Sequence, residues 1–440
     1  VLVQLLADAL FMPYVVAVLL GGGAWLTVRL GVVQIRRFPD AVRAMFARSS
    51  AGSAGVLSPF QAFATALAAS IGTGNIAGVA TAIISGGPGA LFWIWVYGLV
   101  AMATKFAEAV LGLHFRRIEN GRVLSGPMYY LRDGLGSPAL AWTYALVAGV
   151  AALTTTPFTQ PNSIAVAMDA VFGVPAWIVG LVVAVLTWLV IIGGITAIGR
   201  AMEKLAPLKV GLYLAGGAVV IVTFAERLPA VLALVVREAW TMDSAMGFGL
   251  FVAMRYGVAR GIYANEAGFG TAAVAYGTAR SDRPAGQGLQ AVMEVFIVSF
   301  ITATISAMTI LLSGVAEASI ALRQAGEPFL TSTAAVAGAF DAAMPVVGGW
   351  IVAVAAFLFG YTTLIGWAYY GEQFLEYLVG RRVAVPYRWA YCLLIPFGAV
   401  LTPEVVWAWG DLMNSLQIFP NLIGLVALGS IAARYARAPR

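Results

Sequence analysis

The chain has 440 residues, of which 61% are apolar and only 10% charged. Soluble globular proteins run at about 45–50% apolar and about 25% charged, and most of a folded surface must still meet water. A soluble enzyme, a disordered chain and a nucleic-acid binder are therefore all disfavoured. The net charge of +6 does not reverse this, because the basic residues sit between apolar runs, as the positive-inside rule requires of a membrane protein. One cysteine, Cys392, allows no intrachain disulfide, and one histidine, His114, leaves zinc sites and Ser-His-Asp catalysis almost nothing to work with.

A spanning helix takes about 20 residues. Eleven apolar segments are predicted, near residues 10–34, 57–85, 88–113, 138–171, 173–193, 206–225, 245–279, 287–314, 346–378, 385–402 and 406–433. They are helices because a backbone in lipid must satisfy its own hydrogen bonds, and the alternating strands of a closed barrel are missing. Linkers 124–133 and 317–343 mix apolar and polar residues and are expected as helices on or dipping into the membrane surface.

The linkers also set the orientation. Arg36, Arg37, Arg43 and Arg48 follow the first segment, and Arg116, Arg117, Arg122 and Arg132 the third. Arg200, Lys204 and Lys209 lie around the fifth and sixth, Arg280 and Arg283 after the seventh, Arg381, Arg382 and Arg388 after the ninth, and Arg434, Arg437 and Arg440 at the end. Against these nineteen, the alternate linkers carry Arg227, Arg237 and Arg323. The bias puts the first group and the C-terminus in the cytoplasm and the N-terminus outside.

Two segments are interrupted in the same way. The second contains Ser70-Ile71-Gly72-Thr73-Gly74-Asn75, and the seventh contains Asn265-Glu266-Ala267-Gly268-Phe269-Gly270. Glycine costs about 1 kcal/mol in a helix interior, so Gly-x-Gly beside Asn favours local unwinding. Unwound backbone at membrane depth is tolerated only where it lines a polar cavity or is buried in protein. Small residues in membrane helices often serve close packing alone. Two such stretches, each opening a set of five segments, point instead to an inverted repeat, since an odd number of spans inserts the second set upside down. The predicted fold class is an all-α membrane protein. It forms one transmembrane domain over 1–440, with an extra helix (10–34) and inverted five-helix repeats at 57–225 and 245–433.

The chain resembles the alanine or glycine:cation symporter family (sodium:alanine symporters), whose fold is leucine-transporter-like, within the amino acid-polyamine-organocation superfamily. The resemblance rests on Val-Gln-Ile-Arg-Arg (33–37), Gly-Thr-Gly-Asn-Ile-Ala-Gly-Val-Ala (72–80), Gly-Pro-Met-Tyr-Tyr (126–130), Arg-Gly-Ile-Tyr-Ala-Asn-Glu-Ala-Gly-Phe-Gly (260–270), Gly-Trp-Ala-Tyr-Tyr-Gly-Glu (366–372) and Pro-Asn-Leu-Ile (420–423). It implies sodium-driven import of alanine or glycine across the plasma membrane, with no enzymatic step and no organic cofactor. It also implies that Thr73 and Gly74 offer N–H groups to the substrate carboxylate, as half-helix N-termini bind anions. Carbonyls around Tyr263, Ala264, Asn265 and Glu266 would meet the ammonium, Gln160 would line the pocket, and Trp367 would bound it. Sodium would be held by the carbonyls of Ala68, Ile71 and Phe359 and the hydroxyls of Thr362 and Thr363. Asn75 either takes a second ion position or holds the break. Pro157 and Pro161 depart from the family pattern and are expected to kink the fourth segment.

Among the other charged residues, Lys105 and Glu108 are spaced as a helical ion pair. Glu266 is expected to brace the unwound backbone, the alternative being a role in ion or proton movement. The latter would make the protein a proton-coupled carrier of the same fold. A channel is the reading from another class, distinguished by flux that does not saturate. Asp411 and Asn414 are candidates for an external gate.

Overall fold

Helices dominate because each apolar run has to close its own backbone bonds, and the sequence supplies the stops and starts between them. The computed structural model describes residues 14–46, 53–119, 121–241 and 249–438. The predicted starts at 10 and 245, together with Arg48 and Arg440, lie outside the described residues.

In chain order, the helices that build the molecule are α1 (Val16–Arg29), α2 (Pro59–Ser70), α3 (Ala77–Gly86), α4 (Ala90–His114), α5 (Pro138–Thr154), α6 (Thr156–Phe172), α7 (Ala176–Ile191), α8 (Gly194–Thr223), α9 (Leu250–Asn265), α10 (Thr271–Gly277), α11 (Pro284–Phe296), α12 (Ala303–Leu312), α13 (Val347–Val379), α14 (Ala384–Val400), α15 (Pro403–Ala427) and α16 (Gly429–Arg437). Among the described residues, six helices are long and apolar enough to cross a membrane, or up to 8 if two bent pairs each count as one span. Helices α1 and α7 are apolar but shorter. Many side chains facing outward on these helices are large and apolar, such as Leu189, Val222, Leu393 and Phe397, as lipid demands.

Local chemistry explains the boundaries. Helix α2 opens with a capping box: the Gln61 N–H donates to Ser58 Oγ at 3.1 Å, and the Ser58 N–H donates to Gln61 Oε1 at 3.0 Å. The expected kink in the fourth segment is a join at Thr155, between α5 and α6, with Pro157 in the first turn of α6 and Pro161 inside it. The sixth segment extends well beyond its hydropathy limits. Helix α8 begins at Gly194, so Arg200 and Lys204 belong to a helix and not to a linker, together with Lys209, which the predicted segment already contained.

Linkers differ from expectation in one respect. Arg117–Glu119 (β1) and Arg122–Leu124 (β2) form a small antiparallel hairpin before the turns at 127–134, whose Met128, Tyr129 and Tyr130 are buried. Helices at Val315–Ala325 and Ser332–Ala343 fill the second mixed linker.

Glycines let α4 lie against both halves of the seventh segment. A Cβ on Gly257 of α9 would come within 2.3 Å of the Ala90 carbonyl oxygen, and one on Gly112 of α4 within 2.4 Å of the Ala273 carbonyl oxygen. Only a hydrogen fits at these crossings.

Candidate functional site: two facing helix breaks

Helices α2 and α3 are the halves of one span, bent by 61° at a single 3₁₀ turn, Thr73–Asn75. The break redirects hydrogen bonds. The Gly72 N–H, which a continuous helix would give to Ala68, donates to Ser70 O at 2.9 Å, and the Asn75 N–H donates to Gly72 O at 3.0 Å. The carbonyls of Ala68 and Ile71 are thereby released. Asn75 fills the bend: its Nδ2 donates to Ser70 O at 3.1 Å and to Ala264 O at 3.5 Å, and its Oδ1 accepts from Thr302 at 3.2 Å.

The second break separates α9 from α10. Glu266 sits there in the left-handed region (φ 55°), followed by Gly268 and Gly270, also at positive φ. A non-glycine residue there needs tertiary support. The indole N–H of Trp367 donates to Glu266 Oε1 at 2.6 Å and the Thr271 hydroxyl to its Oε2 at 3.0 Å. Glu108 on α4 caps the bared backbone. Its Oε1 accepts from the N–H groups of Gly268 (2.9 Å) and Gly270 (3.1 Å) and from Asn421 Nδ2 (3.0 Å). Tyr97 and Tyr144 donate to the carbonyls of Ala267 and Phe269.

The two breaks face one cavity of ≈ 30 Å³, lined by Ser70, Gly72, Gly74, Thr155, Thr156, Thr159, Gln160, Tyr263, Glu266, Phe269, Thr363, Trp367, Trp407 and Asn414. Of the expected substrate contacts, Gly74, Gln160, Tyr263 and Trp367 line it, while Thr73, Ala264 and Asn265 do not. Thr73 stands behind Gln160, whose Oε1 accepts from both the N–H and the hydroxyl of Thr73, each at 3.0 Å. The amide oxygen thus holds the position where a substrate carboxylate would find its donors. Ala264 and Asn265 brace the break: Ala264 O accepts from Asn75, and Asn265 Oδ1 accepts from the Ala267 N–H at 3.0 Å.

Three of the oxygens expected to hold sodium, those of Ala68, Ile71 and Thr362, come together where the first break meets α13, around a cation that the sequence reading counted with the linker charges although its predicted segment, 206–225, contains it. Lys209 Nζ donates to Ala68 O (2.8 Å), Ile71 O (2.5 Å) and Thr362 Oγ1 (2.6 Å). The Phe359 carbonyl faces the Thr362 hydroxyl at 3.1 Å, and Thr363 donates to Ala69 O at 2.7 Å, tying α13 to α2.

Charged residues frame the chamber. Lys105 pairs with Glu294 at 2.8 Å, and Ser70 Oγ donates to the same carboxylate oxygen at 2.5 Å. Lys105 thus pairs with Glu294 and not with Glu108, whose Oε1 accepts from the N–H groups of the break. On one side of the chamber Arg260 lies 3.8 Å from Asp411, its guanidinium over the rings of Trp407 and Tyr263. Elsewhere Arg122 pairs with Glu376 and Arg388 with Glu372.

Sequence reasoning missed Lys209 and the capping by Glu108, yet both carried a signal. An ionisable residue inside an apolar helix is costly and needs a partner. The partners came from distant helices, which no spacing along the chain reveals.

A helical membrane protein with two interrupted spans facing a common polar chamber is a secondary transporter by architecture. The family model described as the sodium:alanine symporter family matches residues 1–438, and the chain belongs to that family. It is 38% identical over 432 residues to the sodium/alanine symporter AgcS of Methanococcus maripaludis, covering 97% of this chain and 94% of that protein. It is 33% identical to the amino-acid carrier protein AlsT of Bacillus subtilis (95% and 88% covered) and 32% identical to a sodium/proton-dependent alanine carrier of Bacillus sp. PS3 (84% and 85%). The fold is shared with a mutant of the Eremococcus coleocola manganese transporter, at a TM-score of 0.55 and 16% identity over 87% of this chain and 81% of that one. The protein is a multi-pass membrane transporter and not an enzyme.

Proposed function

We propose that the protein imports a small neutral amino acid, alanine or glycine, in symport with sodium by alternating access at the plasma membrane. The observation that carries this reading is the cavity of ≈ 30 Å³ that the two breaks face, with Trp367 and Phe269 in its lining. The substrate carboxylate takes the N–H and hydroxyl of Thr73 when Gln160 swings aside. Its ammonium meets Glu266 and the carbonyls at the end of α9. Trp367 limits the side chain to hydrogen or methyl.

Eleven spans, arranged as a leading helix and two inverted repeats, give the pseudo-symmetry that lets one bundle rock against the other. The N-terminus is outside and the C-terminus cytoplasmic. In that orientation the Arg260–Asp411 pair closes the outer path, and Asp411 with Asn414 acts as the external gate. Symport follows if sodium and amino acid each bind the outward-open and inward-open states with different affinity.

Counterflow of labelled alanine and glycine in proteoliposomes, with and without sodium, tests this. Saturable exchange that needs sodium is expected. Exchange that ignores sodium and collapses with the proton gradient favours proton coupling, the reading that the Lys209 ammonium among the expected sodium oxygens supports. Flux that neither saturates nor is competed by unlabelled alanine sinks both.

A further inference from the structure

Lys209 lies halfway along α8 and is fully buried. The three hydrogens of its ammonium meet three oxygens: two carbonyls released by the first break and the Thr362 hydroxyl of α13. The Phe359 ring lies 5.1 Å from Nζ, completing the cage with a π face. Helix α2 carries no ionisable side chain on its whole length. On the other elements packed against α8, Tyr361 is spent on Leu186 O and Asp341 on the Gly349 N–H, while Glu372 and Glu376 of α13 pair with Arg388 and Arg122. Tyr213, one turn along α8, is bonded to Ser306.

This geometry is a cation site satisfied from within. Neutral carbonyl and hydroxyl oxygens are the donors a hard monovalent cation selects, and the lysine uses the very ones that the bend sets free. Two positive charges cannot share one cage of three oxygens. The junction it closes is also mechanical: with the ammonium in place, α2, α8 and α13 are held together by one side chain.

We propose that Lys209 is a tethered competitor of the transported cation, its ammonium closing the junction between the first break and α13 until sodium displaces it. The proposal rests on the transport reading only in naming sodium as the cation. Lys209 is then the residue that sets how much sodium the site requires.

The test is ²²Na binding to the purified full-length protein, wild type against Lys209→Met and Lys209→Ala, with potassium replacing sodium at constant ionic strength. Methionine keeps the unbranched length without the charge, so sodium is expected to bind at least tenfold tighter to Lys209→Met. Equal sodium affinity in wild type and both variants overturns the proposal. A second measurement needs no variant. The chain's lysines are Lys105, Lys204 and Lys209, and Lys204 is exposed, an internal standard for acetic anhydride labelling read by mass spectrometry. Sodium should raise Lys209 labelling at least fivefold relative to Lys204, and potassium should not. Labelling of Lys209 that sodium leaves unchanged overturns the proposal even if the variants do not fold. Loss of alanine counterflow would count against the transport reading alone, since binding and labelling are read without transport.

Discussion

Glu108 offers the sharpest perturbation, because one of its oxygens accepts from both glycine N–H groups of the second break. Replacing Glu108 by Leu removes the acceptor of the Gly268 and Gly270 N–H groups and of one Asn421 bond. Asn421 keeps its second bond, to Gly268 O at 2.8 Å, so two buried backbone donors are stranded. At about 1–3 kcal/mol for each unsatisfied group, the loss is about 2–6 kcal/mol. Glu108→Gln keeps an oxygen but not the charge. Charged hydrogen bonds contribute about 1.5–3 kcal/mol against about 0.5–1.5 for neutral ones, so the two backbone bonds alone lose about 2–3 kcal/mol together. The assay is thermal unfolding of the detergent-solubilised protein followed by size-exclusion chromatography, with hydrogen exchange of residues 266–271 read by mass spectrometry. The order expected is wild type, then Glu108→Gln, then Glu108→Leu, with exchange rising first at the break. A Glu108→Leu protein as stable and as protected as wild type would refute the capping argument.

Other outcomes follow from the same geometry. Gly72→Ala places a Cβ 2.7 Å from Thr363 Oγ1 and 3.0 Å from Gln160 Oε1, and is expected to abolish alanine exchange while the protein still folds, as checked by chromatography and counterflow. Thr363→Ala deletes the bond to Ala69 O; at about 0.5–1.5 kcal/mol, the sodium needed for half-maximal uptake should rise roughly two- to tenfold, and an unchanged requirement would remove Thr363 from the ion site. Arg260→Gln should open the outer path, so that a cysteine at Thr159 in a Cys392→Ala background reacts faster with an impermeant maleimide. Burial pushes the Asp133 carboxyl up, but hydrogen bonds from Arg132 and Arg117 outweigh it and hold it below the usual carboxylate value. A depressed folded value contributes stability at neutral pH that is lost as pH falls through it. Hydrogen exchange over residues 117–134, divided by the intrinsic amide rate at each pH, should therefore rise in acid, and Asp133→Asn should flatten that dependence.

The sequence by itself determined where the chain is helical and where it must break. Hydropathy runs, the Ser58 capping signal and two clusters of Gly with Asn are local properties, and local backbone energetics decide them. Cys392 and His114 as lone representatives of their types left zinc sites and Ser-His-Asp catalysis almost nothing to work with. What only the tertiary structure decided is who satisfies whom. Lys105 has Glu108 three residues away yet pairs with Glu294, Glu108 is spent on a break some 160 positions downstream, and Lys209, counted with the linker charges, binds carbonyls that are free only because another helix is bent. A buried charge takes whichever partner lowers its cost of leaving water, and in a helical bundle that partner lies across the packing interface, where distance along the chain carries no information.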